Sequence, residues 1–359
     1  MMTPYQQVIR ALRKENDDSV PFAVYEIMVP RGSVERDLRN RGLCLVRHRK
    51  SYQVYFPNVN IKAVHFRDKN GLDMIRTEYS TPLGDLSVLT RKSGFYLDWI
   101  IEHMFKSPDD YKALNFLIRD AVIVPDYDAV AKEISMLGED YILRDQIGLF
   151  GLEPLQSFIS SEVMNAQDFC IEWMENRDEL IKLYNSVVEV NRKIYEVVAD
   201  GPLQFANYGG NVVPQIIGVN TFNEFYVPNY NEAAEVLHKK GKLIGTHLDA
   251  DNTIIMDEIG QTALDYIEAF DPAVGPSVKV AREKWPDKAL WINWPSALQL
   301  GTLDEIRINT MRLIEEARPV NGFIVGVTED VPEDRIIGNL DAIMKGVEAF
   351  KDSSCITSL

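Results

Sequence analysis

The feature that most constrains the fold is an alternation in the second half of the chain. Five short apolar runs, 203–208 (LQFANY), 242–248 (KLIGTHL), 263–270 (ALDYIEAF), 288–294 (KALWINW) and 321–327 (NGFIVGV), are separated by stretches of helical character. The helices are expected at about 221–240, 253–259, 277–285, 303–317 and 334–350. Strands that are apolar almost throughout have both faces covered, which is the condition of a parallel sheet under helices. At least five such units favour a closed (β/α)8 TIM barrel over an open sheet, although the pattern by itself is compatible with both. A chain of 359 residues suits one α/β barrel domain over 1–359 with an N-terminal elaboration.

The first 150 residues are less regular. Residues 21–27 (PFAVYEI) read as a first strand, and 30–92, rich in Arg, Tyr and turn signals, as a lobe over the barrel mouth. A helix over 107–118 starts at Ser107-Pro108-Asp109-Asp110, further strands are expected at Asp120–Val124 and 146–154 (QIGLFGLEP), and 176–199 reads as one long helix. Thr221-x-x-Glu224 and Thr302-x-x-Glu305 both match a capping box, in which Glu reaches back to the cap amide.

Charge and cysteine usage narrow the function classes. A formal net charge of −16 argues against nucleic acid and anionic membrane surfaces, which need positive charge. No run approaches the apolar length of a membrane span, and MMTPYQQVIRALRKEN reads as an amphipathic helix start and not as a signal peptide. Cys44, Cys170 and Cys355 show no ligand spacing, which fits reduced thiols and a cytoplasmic location. No Walker, GxGxxG or nucleophile-elbow pattern is present.

Reactive groups of a barrel sit at the C-terminal ends of its strands. Those ends are polar here: Asn207, Tyr208 and then Gly209-Gly210-Asn211; His247-Leu248-Asp249; Glu268; Asn293 and Trp294; Thr328-Glu329-Asp330. His247 and Asp249 are two residues apart on a strand and so share a face. Such a pair can share a metal, or the carboxylate can orient the imidazole. It can also be a hydrogen-bonded mouth histidine with Asp249 capping the next helix. Glu329 sits at the level of Asn293 and also fits a helix N-terminus. Glu268 also fits a satisfied buried acid, and Glu224 is explained by capping. His48, His65, His103 and His238 lie in charged or helical surface-like contexts and read as non-catalytic.

The string GGNVVPQIIGVNTFNEFYVPNYNEAAEVLHKKGKLIGTHLDADN, residues 209–252, resembles the central block of the uroporphyrinogen-decarboxylase-like superfamily. In that block a glycine/asparagine strand end is followed by a helix reading F-x-E-F/Y-x-x-P and a strand ending in His-x-Cys or His-x-Asp. The stretches DYIEAFDPAVGPSVKVAREKWPDKALWINWP and NGFIVGVTEDVPEDRIIGNLDAI continue the likeness, and RNRGLCLVRH and RTEYSTPLGDLSV look like the N-terminal part of its methyltransferase-like members. The resemblance covers most of the chain and implies a (β/α)8 barrel. It also implies one of two chemistries, porphyrinogen decarboxylation or cobalamin-dependent methyl transfer with a zinc held by a strand-end His and two Cys. Related enzymes demethylate methoxylated aromatics and pass the methyl group to a corrinoid protein.

The sequence departs from both patterns. The Arg-rich segment that binds propionates in the decarboxylases is replaced by VYEIMVPRGSVERDLRNRG, which keeps Arg31, Arg36, Arg39 and Arg41 without the motif. At the two positions where the thiol methyltransferases carry cysteine, this chain has Asp249 and, counting back from Asn339, Glu329. A His/Asp/Glu set suits a Lewis acid acting on oxygen better than a zinc-held thiolate. The expectation is therefore a corrinoid-dependent methyltransferase of the O-demethylase branch, taking a methyl group from a small methylated compound, an aryl methyl ether by preference. A decarboxylase and a methylcobalamin:thiol methyltransferase are the alternatives. His247, Asp249 and Glu329 are the expected catalytic and zinc-binding residues. Asn207, Tyr208, Asn211, Gln215, Glu268 and Asn293 are the expected substrate contacts.

Overall fold

All five apolar runs are strands, and three strands from the first 150 residues close the sheet they begin. The computed structural model describes residues 2–16, 19–93 and 98–357. In chain order the strands are β1 (Phe22–Tyr25), β2 (Cys44–His48), β3 (Tyr52–Tyr55), β4 (Asn60–Arg67), β5 (Asp73–Thr81), β6 (Gly84–Arg91), β7 (Trp99–Glu102), β8 (Val122–Pro125), β9 (Tyr141–Ile147), β10 (Phe205–Gly210), β11 (Leu243–His247), β12 (Tyr266–Phe270), β13 (Ala289–Asn293) and β14 (Phe323–Val327). The barrel runs β1-β14-β13-β12-β11-β10-β9-β2 and back to β1, and all its pairings are parallel. With helices between the strands this is a (β/α)8 TIM barrel.

The chain forms two compact units. The first holds residues 1–49, 128–145 and 202–359 and contains the barrel strands, with the end of β9 at its border. It holds an apolar cluster that includes Ala23, Cys44, Val46, Ile142, Phe205, Tyr266, Ala289, Trp291 and Ile324. Val8, Ala11 and Leu12 of the helix Pro4–Leu12 join that cluster. Just beyond this helix, Asn16 accepts the Gly322 N–H, so the N-terminal segment is tied in at the N-terminal end of β14. The second unit, residues 50–127 and 146–201, has a β3–β8 antiparallel pair and a four-stranded antiparallel sheet β4-β5-β6-β7. It also holds the helices Tyr111–Arg119 and Arg177–Asp200.

Several expectations shift. The strand expected at 146–154 lies earlier, at β9, because the chain turns at Gly148. That residue has φ +123°, and a Cβ there would come within 2.5 Å of the Leu152 carbonyl oxygen. The stretch 30–92 is divided: the helix Ser33–Asn40 and β2 belong to the barrel unit, since Cys44 and Val46 are core positions, and the rest from residue 50 belongs to the second unit. Thr302 forms its capping box, accepting from the Glu305 N–H at 3.3 Å while Glu305 accepts the Thr302 N–H at 2.8 Å. Thr221 does not, because it lies inside the helical run Pro214–Phe225, beyond a break at Gly218. Cys44 and Cys170 are free thiols, and the Cys355 side chain lies outside the described residues. Among the described residues no helix is long and apolar enough to cross a membrane.

Candidate active site at the C-terminal ends of the strands

One layer above the apolar cluster, the barrel interior becomes ionisable. Inward positions alternate along each strand, so the residue two beyond a core side chain faces the same space. Tyr25 follows Ala23 on β1, His48 follows Val46 on β2, Arg144 follows Ile142 on β9, and Asn207 follows Phe205 on β10. Glu268 follows Tyr266 on β12, and His247 ends β11, paired in register with Glu268.

His247 stands at the centre. Its Nδ1 lies 3.2 Å from the Tyr25 hydroxyl and 3.4 Å from Glu268 Oε2. Its Nε2 faces the other way, 3.6 Å from Asp249 and 3.7 Å from Glu329. One ligand atom from each of His247, Asp249 and Glu329 falls within 4.8 Å of the others, a spacing that could hold a metal ion. The strand end that places His247 depends on Gly210. Gly210 has φ +149°, and a Cβ on it would lie 2.7 Å from the His247 Cβ.

Glu268 is fully buried, and its Oε2 accepts from Arg144 and from Asn207 Nδ2, the latter at 2.5 Å. Asn207 is oriented in turn by the Tyr266 hydroxyl, which donates to its Oδ1. Arg144 Nη1 also donates to the Tyr25 hydroxyl at 3.1 Å. Burial opposes ionisation of Glu268, but the Arg144 charge and then His247 outweigh it and hold its pKa down to about 2. Burial likewise disfavours the His247 imidazolium, yet hydrogen bonds to Asp249, Glu268 and Glu329 hold its pKa well above the ordinary value. Burial of Asp249 is overcome by its contact with His247, which lowers its pKa.

The remaining expected site residues divide. Tyr208 is buried against Tyr230 of the helix Val227–His238, ring centroids 5.7 Å apart. The Asn211 backbone N–H is held by the His247 carbonyl at 3.0 Å. Gln215 is exposed and donates to the Asp251 carbonyl at 2.9 Å. Asn293 braces its own strand end, donating to Asp271 and Ser296 and accepting the Thr328 N–H. Three inward residues were missed from the sequence: Tyr25, His48 and Arg144. His48 is not in a surface context. It lies edge-on to the Tyr25 ring at 4.4 Å, and burial, reinforced by the Arg144 charge, pushes its pKa down to about 3. The alternation Cys44, Val46, His48 is the signal that locates it. A cavity of about 490 Å³ opens beside Tyr25 and His48, lined also by Ile27, Val29, Arg31 and Arg47.

The profile of the uroporphyrinogen decarboxylase (URO-D) family matches residues 158–350, more than half of the chain. The chain belongs to this family. Among solved structures, a methyltransferase from Methanosarcina mazei superposes with a TM-score of 0.61 at 12% identity, covering 98% of this chain and 100% of that one. A B12-independent methionine synthase from Shewanella sp. W3-18-1, in complex with selenomethionine, gives a TM-score of 0.49 at 11% identity over 91% of this chain and 87% of that one. At these identities the likeness concerns the fold. No curated protein sequence matches the chain.

Proposed function

We propose that this member of the URO-D family is a methyltransferase that moves a methyl group from a small methylated compound, an aryl methyl ether by preference, to the Co(I) centre of a separate corrinoid protein. The observation that carries the reading is the two-sided environment of His247. Its Nδ1 side is occupied by Glu268 and Tyr25, and its Nε2 side faces Asp249 and Glu329. A histidine braced by a carboxylate on one nitrogen and open to ligands on the other is the usual arrangement of a metal-binding imidazole. The donor set of one imidazole and two carboxylates fits zinc or another divalent ion of similar hardness. When bound, such an ion supplies a Lewis acid for an ether oxygen.

In the reaction the methyl carbon–oxygen bond breaks with its electron pair left on oxygen, and the Co(I) electron pair forms the new cobalt–carbon bond. The oxygen then takes up a proton. Glu268 keeps the imidazole from rotating, while Asp249 and Glu329 orient the groups at the open side. In the metal-free centre the imidazolium between these carboxylates is itself a proton donor for the leaving oxygen.

The decarboxylase alternative is less well supported. A porphyrinogen with several carboxylates needs unpaired cations, whereas Arg31 pairs with Glu26 and Glu35, Arg47 with Glu26 and Glu133, and the buried Arg144 with Glu268. The thiol-methyltransferase alternative lacks the thiolate ligands its chemistry uses.

The test is methyl transfer from a panel of methoxyaromatics to free cob(I)alamin and to purified corrinoid proteins, with zinc-replete protein. Methylcobalamin formation is expected from the wild type, with a fall of about 10²–10⁴-fold in H247A. Absence of methylcobalamin with every donor and acceptor sinks the proposal.

A further inference from the structure

We propose that Arg144 is a positioning residue of this centre, fixing Glu268 and Tyr25 together so that Nδ1 of His247 is engaged and Nε2 is presented to Asp249 and Glu329. The inference rests on reading His247 as the central ligand of the site.

One guanidinium nitrogen bridges the two groups beside Nδ1 of the imidazole. Arg144 Nη1 donates to Glu268 Oε2 and, at 3.1 Å, to the Tyr25 hydroxyl; these same atoms lie 3.4 and 3.2 Å from His247 Nδ1. An ion pair kept only for charge balance gains most from the two-pronged fork of arginine on carboxylate. This pair forgoes it: Arg144 Nε and Glu268 Oε1 are both buried and have no hydrogen-bond partner. All the donors to the carboxylate gather on Oε2, where Asn207 joins Arg144, and Oε2 is the atom beside His247. An ionised carboxylate only accepts, so it selects the tautomer with the proton on Nδ1 and leaves the Nε2 lone pair for a ligand.

The backbone is bent to the same end. The β12–β13 register shifts between Glu268 and Phe270, and Ala269 between them has φ +61°, a left-handed conformation that L residues with a side chain seldom hold. Strain of this kind persists where surrounding contacts fix it, and here they are the contacts of Glu268.

The experiment compares wild type, Arg144→Met and Arg144→Met/Glu268→Gln. The double variant removes both buried charges and is expected to recover the melting temperature lost in the single one. Two readouts address positioning: zinc affinity by chelator competition, and the His247 tautomer by ¹⁵N NMR of the imidazole. The proposal expects zinc affinity to fall about 10–100-fold in both variants. It also expects the single Nδ1–H tautomer of the zinc-loaded wild type to give way to a mixture. A folded double variant with wild-type zinc affinity and an unchanged tautomer overturns it, since Arg144 would then serve charge balance alone. If the wild type binds no zinc, the metal reading of the site fails, and the tautomer comparison, made at a pH high enough to remove the second proton from the imidazolium, still decides the role of Arg144.

Discussion

A Glu268→Leu variant is expected to lose about 3–5 kcal/mol of stability, the loss seen when one partner of a buried ion pair is removed. Glu268 is fully buried and Arg144 almost so, with 5% of its side chain exposed. Leucine fills most of the space but leaves the guanidinium charge in the barrel interior, where the Tyr25 hydroxyl accepts from it without supplying a compensating charge. The magnitude comes from desolvation: the Arg144 charge stays buried without the carboxylate that compensated it. Arg144→Met/Glu268→Leu, which removes both charges, is expected to regain most of the loss, because buried pairs replaced whole by apolar residues are often neutral. Denaturant unfolding of the single and double variants measures the coupling. A loss under about 1 kcal/mol in Glu268→Leu contradicts a buried, essential pair.

The second large effect is a pH dependence. Folded His48 is held neutral down to about pH 3 by burial and by the Arg144 charge, whereas in the unfolded chain it takes a proton near its ordinary value of 6.5. Below pH 6.5 the unfolded state therefore binds more protons than the folded one, so stability falls as pH drops from 6.5 to about 3. The steepest slope is about 1.4 kcal/mol per pH unit, and the integrated loss has a ceiling of roughly 4–5 kcal/mol. His48→Phe keeps an aromatic ring edge-on to Tyr25 and cannot titrate. Its stability, measured by urea unfolding across this range, is expected to show a shallower acid slope than the wild type, with parallel curves above pH 7. Equal slopes below pH 6 would mean that His48 protonates freely in the folded protein.

These residues also show how much of the fold and of the site is legible in the sequence. Strands β10 to β14 were visible because each is an apolar run bounded by turn residues, and His247, Asp249, Glu268 and Glu329 stood out as polar groups at their ends. β9 was not visible, since YILRDQI carries Arg144 and Asp145 in its middle. A charged residue breaks an apolar run, and the carboxylate that makes Arg144 tolerable lies 124 residues away in sequence. β2 was hidden by the basic residues on either side of Cys44–Val46, and those same neighbours made His48 look superficial. β4 has every residue exposed, so it leaves no buried-face periodicity to read. Tyr208 was misplaced for a simpler reason: its neighbour Asn207 faces the mouth, and alternation turns Tyr208 to the helix layer.

The central claim is that His247, Asp249 and Glu329 form a metal centre, and elemental analysis of zinc-loaded, desalted protein tests it most directly. The account predicts close to one zinc ion per wild-type chain and a large loss of bound zinc in His247→Ala and in Asp249→Ala/Glu329→Ala, with the fold retained. A zinc-free wild type, or a His247→Ala protein that keeps its full zinc content, contradicts it.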